Sequence, residues 1–175
     1  MKNAGSKKII VYLTRAAVIA ALYCGLTLAL APISFGAIQF RVSEALTVLP
    51  LMLPEAIPGL TVGCLLSNAI GLGMGLTVAP DLLFGTFATL AAAVLTRACR
   101  KIRFKGLPLL SLFFPVISNA LFVGMELSLF LDTNAGFFLS FLSVGAGELI
   151  VCYVLGLPLT LLLERNKLFK KVSKQ

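Results

Sequence analysis

The sequence predicts an all-α integral membrane protein of six transmembrane helices with both termini in the cytoplasm. The chain is 59% hydrophobic and has a mean hydropathy of +1.01, a composition that would expose large apolar patches on a water-soluble domain. Its basic residues gather in three clusters, and long apolar runs separate these clusters. Because apolar runs continue through all 175 residues, we expect a single transmembrane domain over 1–175.

The basic clusters lie at the start, in the middle and at the end of the chain. They are Lys2, Lys7 and Lys8; Arg97, Arg100, Lys101, Arg103 and Lys105; and Arg165, Lys167, Lys170, Lys171 and Lys174. The net charge of +8 would suggest a nucleic-acid partner only if these residues formed a stripe on a folded surface. Basic clusters beside apolar segments are instead typical of cytoplasmic anchors under the positive-inside rule. We therefore expect a lipid bilayer around the chain and no nucleic acid.

Four apolar segments are long enough to cross a bilayer, which takes roughly 20 residues of helix. They are residues 9–31, 80–98, 107–131 and 138–163. The first follows a basic start that resembles that of a signal peptide. It contains Arg15, however, and shows no convincing cleavage site, so we expect it to be retained as the first helix.

The remaining segment, 43–71, could form one tilted helix or two shorter ones. The amino-terminal basic cluster and the cluster at 97–105 should both be cytoplasmic, so an even number of crossings must separate them. Helices 9–31 and 80–98 supply two of these crossings. Segment 43–71 must then supply two more or none, and a single crossing is excluded.

Three prolines at four-residue intervals divide this segment. They are Pro50, Pro54 and Pro58. Each lacks a backbone donor and clashes with the preceding helical turn, so we predict two helices at about 43–53 and 54–71. The first is only about 16 Å long at 1.5 Å per residue, too short for the ~30 Å of hydrocarbon. We therefore expect residues 33–42 to enter the outer half of the protein as irregular chain buried in the bundle.

Polar side chains concentrate in the half of the predicted bundle that faces outside. They are Glu44, Asn68, Asn119, Glu126 and Glu148. Asn119 and Glu126 are seven residues apart and therefore share one face of the fifth helix. Because ionisable groups within the membrane are costly unless they are paired or face water, they indicate a functional site. We expect Glu126 and Glu148 to bind a ligand; the alternatives are pairing with Arg15 or contact with a water pocket.

Three further charged residues allow simpler interpretations. Asp81 follows Pro80, and we expect its carboxylate to cap the fourth helix rather than to contact a ligand. Glu55 is expected at the turn on the inner face. Arg41 could neutralise a carboxylate such as Glu44, or it could contact a ligand, and the sequence leaves both open.

Small residues form a second pattern. Ala16 and Ala20 on the first helix, and Gly59 and Gly63 on the third, have the spacing that lets two helices approach closely. The pair formed by Ala17 and Ala21 repeats this spacing on the first helix. Packing within the chain is one interpretation, and docking onto a partner protein is the other.

Several chemical motifs are missing from the sequence. It has no Walker A loop, no nucleophile elbow and no His, so ATP hydrolysis, zinc chemistry and a Ser-His-Asp triad are unsupported. The cysteines are far apart, without CxxC spacing, and we expect them to be packing residues rather than disulfide or metal partners. They are Cys24, Cys64, Cys99 and Cys152. The pattern favours binding over catalysis, with no metal and no cofactor.

Three stretches of the chain carry a family resemblance. These are ISFGAIQFRVSEALTVLPLMLPEAIPGLTVGCLLSN, NALFVGMELSLFL and VGAGELIVCYVLGLPL. They resemble the QueT family of queuosine-precursor transporters, and the resemblance extends over about residues 9–165. It implies the six-helix fold of a substrate-binding component, or S component, of an energy-coupling factor (ECF) importer in the cell membrane of a prokaryote. Such a component has no nucleotide site of its own.

The resemblance also implies partners. An S component works with a transmembrane coupling protein and two ATPases that supply ATP hydrolysis, so the chain itself would not be an enzyme. Small-residue faces on the first and third helices of S components dock onto the coupling protein. On this basis we expect Ala16, Ala20, Gly59 and Gly63 to form the docking surface.

The implied substrate is a 7-deazaguanine such as preQ1, preQ0 or queuine. A guanine-like edge presents N–H donors that a carboxylate can accept, while amides and Arg suit its carbonyl oxygen. Glu126 or Glu148 is the candidate for this edge. The loop after the first helix, with Gln39, Arg41 and Glu44, would help to close the site. The aromatic residues available to stack are Phe35, Phe40 and Tyr153, and Asn68 and Asn119 complete the predicted set.

Two rival functions remain open at this stage. A self-sufficient, proton-coupled carrier of a small polar solute would use Glu126 or Glu148 as its proton site. A membrane enzyme with paired carboxylates is a weaker rival, because the sequence offers no recognisable nucleophile or metal set.

Overall fold

The computed structural model describes residues 2–35, 40–130 and 136–166, with side chains from Gly5 onward. The regular structure of these residues is helical, apart from one isolated antiparallel bridge between Phe104 and Leu107. The elements in chain order are α1 (Lys2–Ala29), α2 (Ala31–Ser34), a 3-10 helix (Val42–Leu51), α3 (Ala56–Gly73), α4 (Asp81–Ala98), α5 (Leu109–Phe130), α6 (Gly136–Ile150), a π-helical turn (Val151–Gly156) and α7 (Leu157–Arg165). The all-α prediction is confirmed for the described part of the chain.

Five helices among the described residues are long and apolar enough to cross a membrane. They are Gly5–Ala29, Ala56–Gly73, Asp81–Ala98, Leu109–Phe130 and Gly136–Arg165. The last of these joins α6, the π-helical turn and α7 into one continuous helix. The sixth crossing and the orientation of the termini stay predictions.

The segment predicted as a short α-helix at 43–53 is a 3-10 helix over Val42–Leu51. A 3-10 helix rises about 2.0 Å per residue against 1.5 Å for an α-helix, so its ten residues span roughly 20 Å instead of about 15 Å. Near the end of this helix, the backbone carbonyl of Pro50 accepts a hydrogen bond from Arg97 Nη1 at 3.0 Å. The tighter winding therefore lets a short segment reach further along the bundle.

Successive segments run in alternating directions. The 3-10 helix returns alongside α1, with Tyr23 hydrogen-bonded to Glu44. At the other end of α1, Arg15 forms an ion pair with Glu55 at 3.0 Å. Helix α3 then runs parallel to α1, and α4, α5 and α6 follow as antiparallel neighbours. We call the end of the bundle where α1 begins and where α4 and α7 end the basic end, because the described basic residues concentrate there.

The small residues predicted to dock a partner lie between α1 and α3. A Cβ added at Gly59 would lie 2.7 Å from Ala16 O, and one at Gly63 would lie 2.8 Å from Ala20 O. Only glycine allows this approach of backbone to backbone. These four residues therefore pack against one another within the chain, which is the first of the two interpretations that the sequence left open.

Pro115 interrupts the hydrogen bonding of α5 without ending the helix. Its ring nitrogen has no hydrogen to donate to the carbonyl of Ser111, four residues earlier. Thr96 of α4 takes over this role, since its Oγ1 donates to Ser111 O at 3.0 Å. One turn further along, Asn119 Nδ2 donates to Pro115 O at 3.1 Å. The carbonyl group that Pro115 leaves without a helical donor therefore links α5 to α4.

We predict that Gly63→Ala lowers the free energy of unfolding by about 1–3 kcal/mol, because the new methyl group would overpack the contact with Ala20. Thermal or denaturant unfolding of the detergent-purified protein measures this loss. Gly25→Ala is the matched control, since a Cβ there meets nothing within 4 Å, and a helical Ala gains about 0.5–1 kcal/mol over Gly. Equal stability of the two variants would contradict the close α1–α3 contact.

Candidate functional site

A cluster of polar side chains is buried where α1, the 3-10 helix and α3 to α6 meet. Its members are Tyr23, Arg41, Glu44, Asn68, Asp81, Thr89, Asn119, Glu126 and Glu148. Each is at most 2% exposed, although their neighbours along the helices are apolar. We call this set the buried polar cluster. Burial without partners would cost each ionised group several kcal/mol, so its contacts decide what the cluster can do.

Arg41 lies at the centre of these contacts. Its Nη2 forms an ion pair with Asp81 Oδ2 at 2.8 Å, and its Nε donates to the backbone carbonyl of Ser34 at 3.4 Å. The guanidinium also lies over the ring of Phe35, 5.4 Å from the ring centre, which is a cation–π distance. The remaining nitrogen, Nη1, has only a weak acceptor, Cys64 Sγ, at 3.7 Å.

Glu44 joins three helices through one carboxylate oxygen. Its Oε1 accepts hydrogen bonds from the Tyr23 hydroxyl of α1 and from Thr89 Oγ1 of α4 at 3.0 Å. Asn119 of α5 lies close to the same carboxylate. Glu44 is in the first turn of the 3-10 helix, so these bonds hold that helix against its neighbours.

Asp81 does not cap α4 as expected from its position after Pro80. Pro80 is itself the capping residue, and no side-chain hydrogen bond caps the helix. The Asp81 carboxylate instead pairs with Arg41 and accepts a hydrogen bond from Thr77 Oγ1 at 2.6 Å. The capping prediction is wrong, because a buried guanidinium nearby is a stronger partner for a carboxylate than the helix end is.

Two more carboxylates complete the cluster. Glu126 of α5 interacts with Asp81 and with Arg41. Glu148 of α6 interacts with Arg41 and accepts a weak hydrogen bond from Cys152 Sγ at 3.9 Å. Neither pairs with Arg15, an alternative that the sequence allowed, since Arg15 forms its ion pair with the carboxylate of Glu55.

The cluster contains more hydrogen-bond acceptors than donors. Among the described residues, six buried side-chain oxygens have no hydrogen-bond partner, and four of them belong to the cluster. These four are Glu44 Oε2, Asn68 Oδ1, Asp81 Oδ1 and Glu126 Oε2. The amide of Asn68 is oriented by its nitrogen, which donates to Asp81 O at 2.8 Å, so the free atom is an acceptor. A molecule that satisfied these oxygens would have to bring donors.

Acidic side chains outnumber basic ones in the cluster. Arg41 is its single cation, and it interacts with four carboxylates. Those carboxylates belong to Glu44, Asp81, Glu126 and Glu148. A site of this composition suits a cation or a group with several N–H donors, because carboxyl oxygens accept hydrogen bonds from either one.

Two glycines pack closely against residues of the cluster or beside it. A Cβ added at Gly85 would lie 2.7 Å from Asp81 Oδ1 and 2.8 Å from Asn68 Nδ2, so any larger residue would push into the polar groups. A Cβ added at Gly71 would lie 2.8 Å from the ring of Phe35. The ring is therefore held between α3 on one side and the guanidinium of Arg41 on the other.

Comparison with known proteins gives one clear match. The model of the QueT transporter family matches residues 13–165, which is most of the chain. The protein belongs to the QueT transporter family. Neither a curated protein nor a solved structure matches the chain. Family membership, together with the apolar helices, makes it a multi-pass membrane transporter.

Six of the eight residues predicted for a substrate site lie together in this QueT-family chain. They are Arg41, Glu44, Asn68, Asn119, Glu126 and Glu148. Gln39 lies outside the described residues. Tyr153 lies apart from the cluster, since its hydroxyl donates to Leu109 O at 2.9 Å and its ring packs against an apolar cluster of Val48, Leu51 and Leu112.

Three members of the cluster were not predicted as site residues from the sequence of this QueT-family chain: Tyr23 and Thr89 were missed, and Asp81 was expected to cap a helix. Tyr23 gives no signal, because a tyrosine in an apolar helix is ordinary. Asp81 and Thr89 do give one: with Gly85 between them they are spaced by four residues along α4, so they share one face of that helix. A line of acid, glycine and hydroxyl within an apolar segment indicates a buried polar surface.

We predict that Arg41→Gln lowers the free energy of unfolding by about 3–5 kcal/mol, because four carboxylates would lose their single buried cation. Arg103→Gln is the control, since its ion pair with Glu164 has both side chains 30% exposed, and such a pair contributes about 0–1 kcal/mol. Denaturant unfolding of the two variants in the same detergent measures the difference. Similar losses in both would contradict a central role for Arg41.

Proposed function

We propose that this protein is the S component of an ATP-driven ECF importer and that it captures a queuosine precursor from outside the cell. The single observation that carries the substrate assignment is the excess of carboxylates and unpartnered acceptor oxygens around Arg41. Membership of the QueT transporter family supports transport as such. The substrate and the ECF mechanism rest on the resemblance of the sequence motifs and on this chemistry.

A 7-deazaguanine matches the hydrogen-bonding groups of the cluster. Its ring N–H and exocyclic amine are donors that suit the free oxygens of Glu126 and Glu44. Its carbonyl oxygen is an acceptor and suits Arg41 Nη1, whose present acceptor is a thiol 3.7 Å away.

The four carboxyl groups around one guanidinium favour the cationic members of this substrate class. The aminomethyl group of preQ1 carries a positive charge, whereas the nitrile of preQ0 carries none. With four carboxylates against one guanidinium, an ammonium group would form charge-assisted hydrogen bonds that a nitrile, which is only an acceptor, has no means to form. We therefore propose that preQ1 binds more tightly than preQ0.

One observation also favours the alternative function, a proton-coupled carrier. Asp81 and Glu126 are neighbouring buried carboxylates, each with an unpartnered oxygen, and such a pair could carry a proton during transport. Uptake by proteoliposomes distinguishes the two mechanisms. The S-component proposal expects uptake only with the coupling protein, the ATPases and ATP, whereas a proton-coupled carrier would need only this chain and a pH gradient.

The surface proposed to dock the coupling protein is the outward side of α1. The pairs Ala16–Gly59 and Ala20–Gly63 are already used between α1 and α3. Ala17, Ala21 and Gly25 repeat the four-residue spacing on the exposed side, where a Cβ at Gly25 would meet nothing within 4 Å. This narrow strip of small residues would let a partner helix approach closely.

We predict that Glu126→Gln and Glu148→Gln each weaken preQ1 binding about 10–100-fold, the loss expected when a charge-assisted hydrogen bond of about 1.5–3 kcal/mol is removed. Calorimetric titration of the purified variants measures the change. Gln keeps the size of Glu, so folding should be preserved.

The matched control for this pair is Glu55→Gln. Glu55 is also buried, but its partner is Arg15 at the basic end, away from the cluster. Its substitution should leave preQ1 affinity unchanged. Near-wild-type affinity in both cluster variants would overturn the assignment of the site.

We predict that Ala21→Leu abolishes co-purification with the coupling protein and leaves preQ1 affinity intact, because the bulky side chain would keep the partner helix away from α1. Pull-down of the co-expressed complex checks the first part, and titration checks the second. Ala69→Leu, an exposed position on α3, is the control and should co-purify normally. Unimpaired assembly of the Ala21 variant would argue against docking at this surface.

A further inference from the structure

A shallow polar cavity, open to its surroundings, lies on the surface at the basic end of the bundle, away from the buried polar cluster. It has a volume of about 740 Å³. Its lining residues are Arg103, Gly106, Leu161, Glu164 and Arg165. They come from the connection between α4 and α5 and from the last turns of α7. Nothing in the proposed transport mechanism uses this cavity.

The cavity combines a cationic side with an apolar side. Arg103 and Arg165 provide two guanidinium groups, and Arg165 makes no ion pair with a described residue. Leu161 provides an apolar wall and is 39% exposed. Guanidinium groups bind phosphate through paired N–H donors, and an exposed leucine offers apolar surface to a hydrocarbon chain.

The connection between α4 and α5 forms a tight turn beside α7. Lys105 and Gly106 both have positive φ, at 50° and 82°, as a tight two-residue turn requires. Phe104 and Leu107 close this turn with two backbone hydrogen bonds of 2.9 and 3.0 Å. Arg103 Nη2 pairs with Glu164 Oε1 of α7 at 2.6 Å across the cavity.

The residues around the cavity are also partly basic and partly apolar. The basic residues close to Arg103 in the sequence are Arg100, Lys101 and Lys105, and the acidic residue in the cavity lining is Glu164. Beside them, Ile102 and Phe104 are 53% and 64% exposed, although both are large and apolar. Cations together with exposed apolar side chains at the end of a membrane helix are typical of contact with the surface of an anionic bilayer.

We propose that this cavity binds the phosphate group of an anionic phospholipid. The two guanidinium groups hold the phosphate, and the lipid's acyl chains pass along Leu161 and the adjacent apolar side chains. A soluble phosphate compound would use the cationic side alone and would leave the apolar wall without a role. The inference is independent of the substrate and of the ECF mechanism.

Native mass spectrometry tests this proposal by counting lipids retained on the protein after transfer from mixed phosphatidylglycerol and phosphatidylcholine micelles. The wild-type protein should retain phosphatidylglycerol preferentially, and the double variant Arg103→Gln/Arg165→Gln should lose about tenfold in that affinity. The matched control is Lys7→Gln/Lys8→Gln, which removes two exposed positive charges from the start of α1. It should retain the lipid as the wild type does.

A further variant separates binding from stability. Glu164→Gln removes the carboxylate that competes for Arg103, so it should increase retention of phosphatidylglycerol severalfold, whereas a merely structural ion pair would give unchanged or lower retention. Equal losses in the double variant and the lysine control would overturn the proposal, because they would reveal a diffuse charge effect. Displacement of the lipid by millimolar inorganic phosphate would overturn it too, in favour of a soluble anion.

Discussion

The fold of this protein depends on placing one guanidinium group in the middle of an apolar bundle. A buried charge is tolerated only when it is paired and hydrogen-bonded, and Arg41 meets this condition through Asp81, the carbonyl of Ser34 and the ring of Phe35. These partners come from two separate parts of the chain, residues 34–35 and the start of α4. Ser34, Phe35 and the start of α4 are thereby held around a single side chain, which lies directly before the 3-10 helix.

The same arrangement explains why the cluster suits transport better than catalysis. Arg41 is outnumbered by four carboxylates, and four oxygens of the cluster lack donors. A donor-rich cation entering the cluster would complete hydrogen bonds that the protein alone leaves unmade, so binding would be strong without any covalent chemistry. Membership of the QueT transporter family agrees with that use. Release then requires the contacts to be broken, which in the proposed importer is the work of the ATPases.

Much of this could be predicted from the sequence, because hydropathy and charge placement determine which segments enter a membrane. The carboxylates of Glu126 and Glu148 stood out for the same reason, as charges in apolar runs. Three features of the structure could not be predicted from hydropathy and charge placement. Whether residues 42–51 wind as an α-helix or a 3-10 helix depends on tertiary contacts such as the one from Arg97. The partner of Asp81 is 40 residues away in the chain. The spacing of Ala16 and Gly59 indicated close helix packing without saying whether the second helix belonged to this chain or to another.

A structure of the protein with bound preQ1 tests the central claim most directly. The account predicts that the ligand's nitrogens lie within hydrogen-bonding distance of the oxygens that now lack partners, Glu44 Oε2, Asp81 Oδ1 and Glu126 Oε2. It also predicts that Arg41 keeps its ion pair with Asp81. A ligand bound elsewhere, with those three oxygens still unpartnered, would contradict the account and would make the buried cluster a purely structural feature of the bundle.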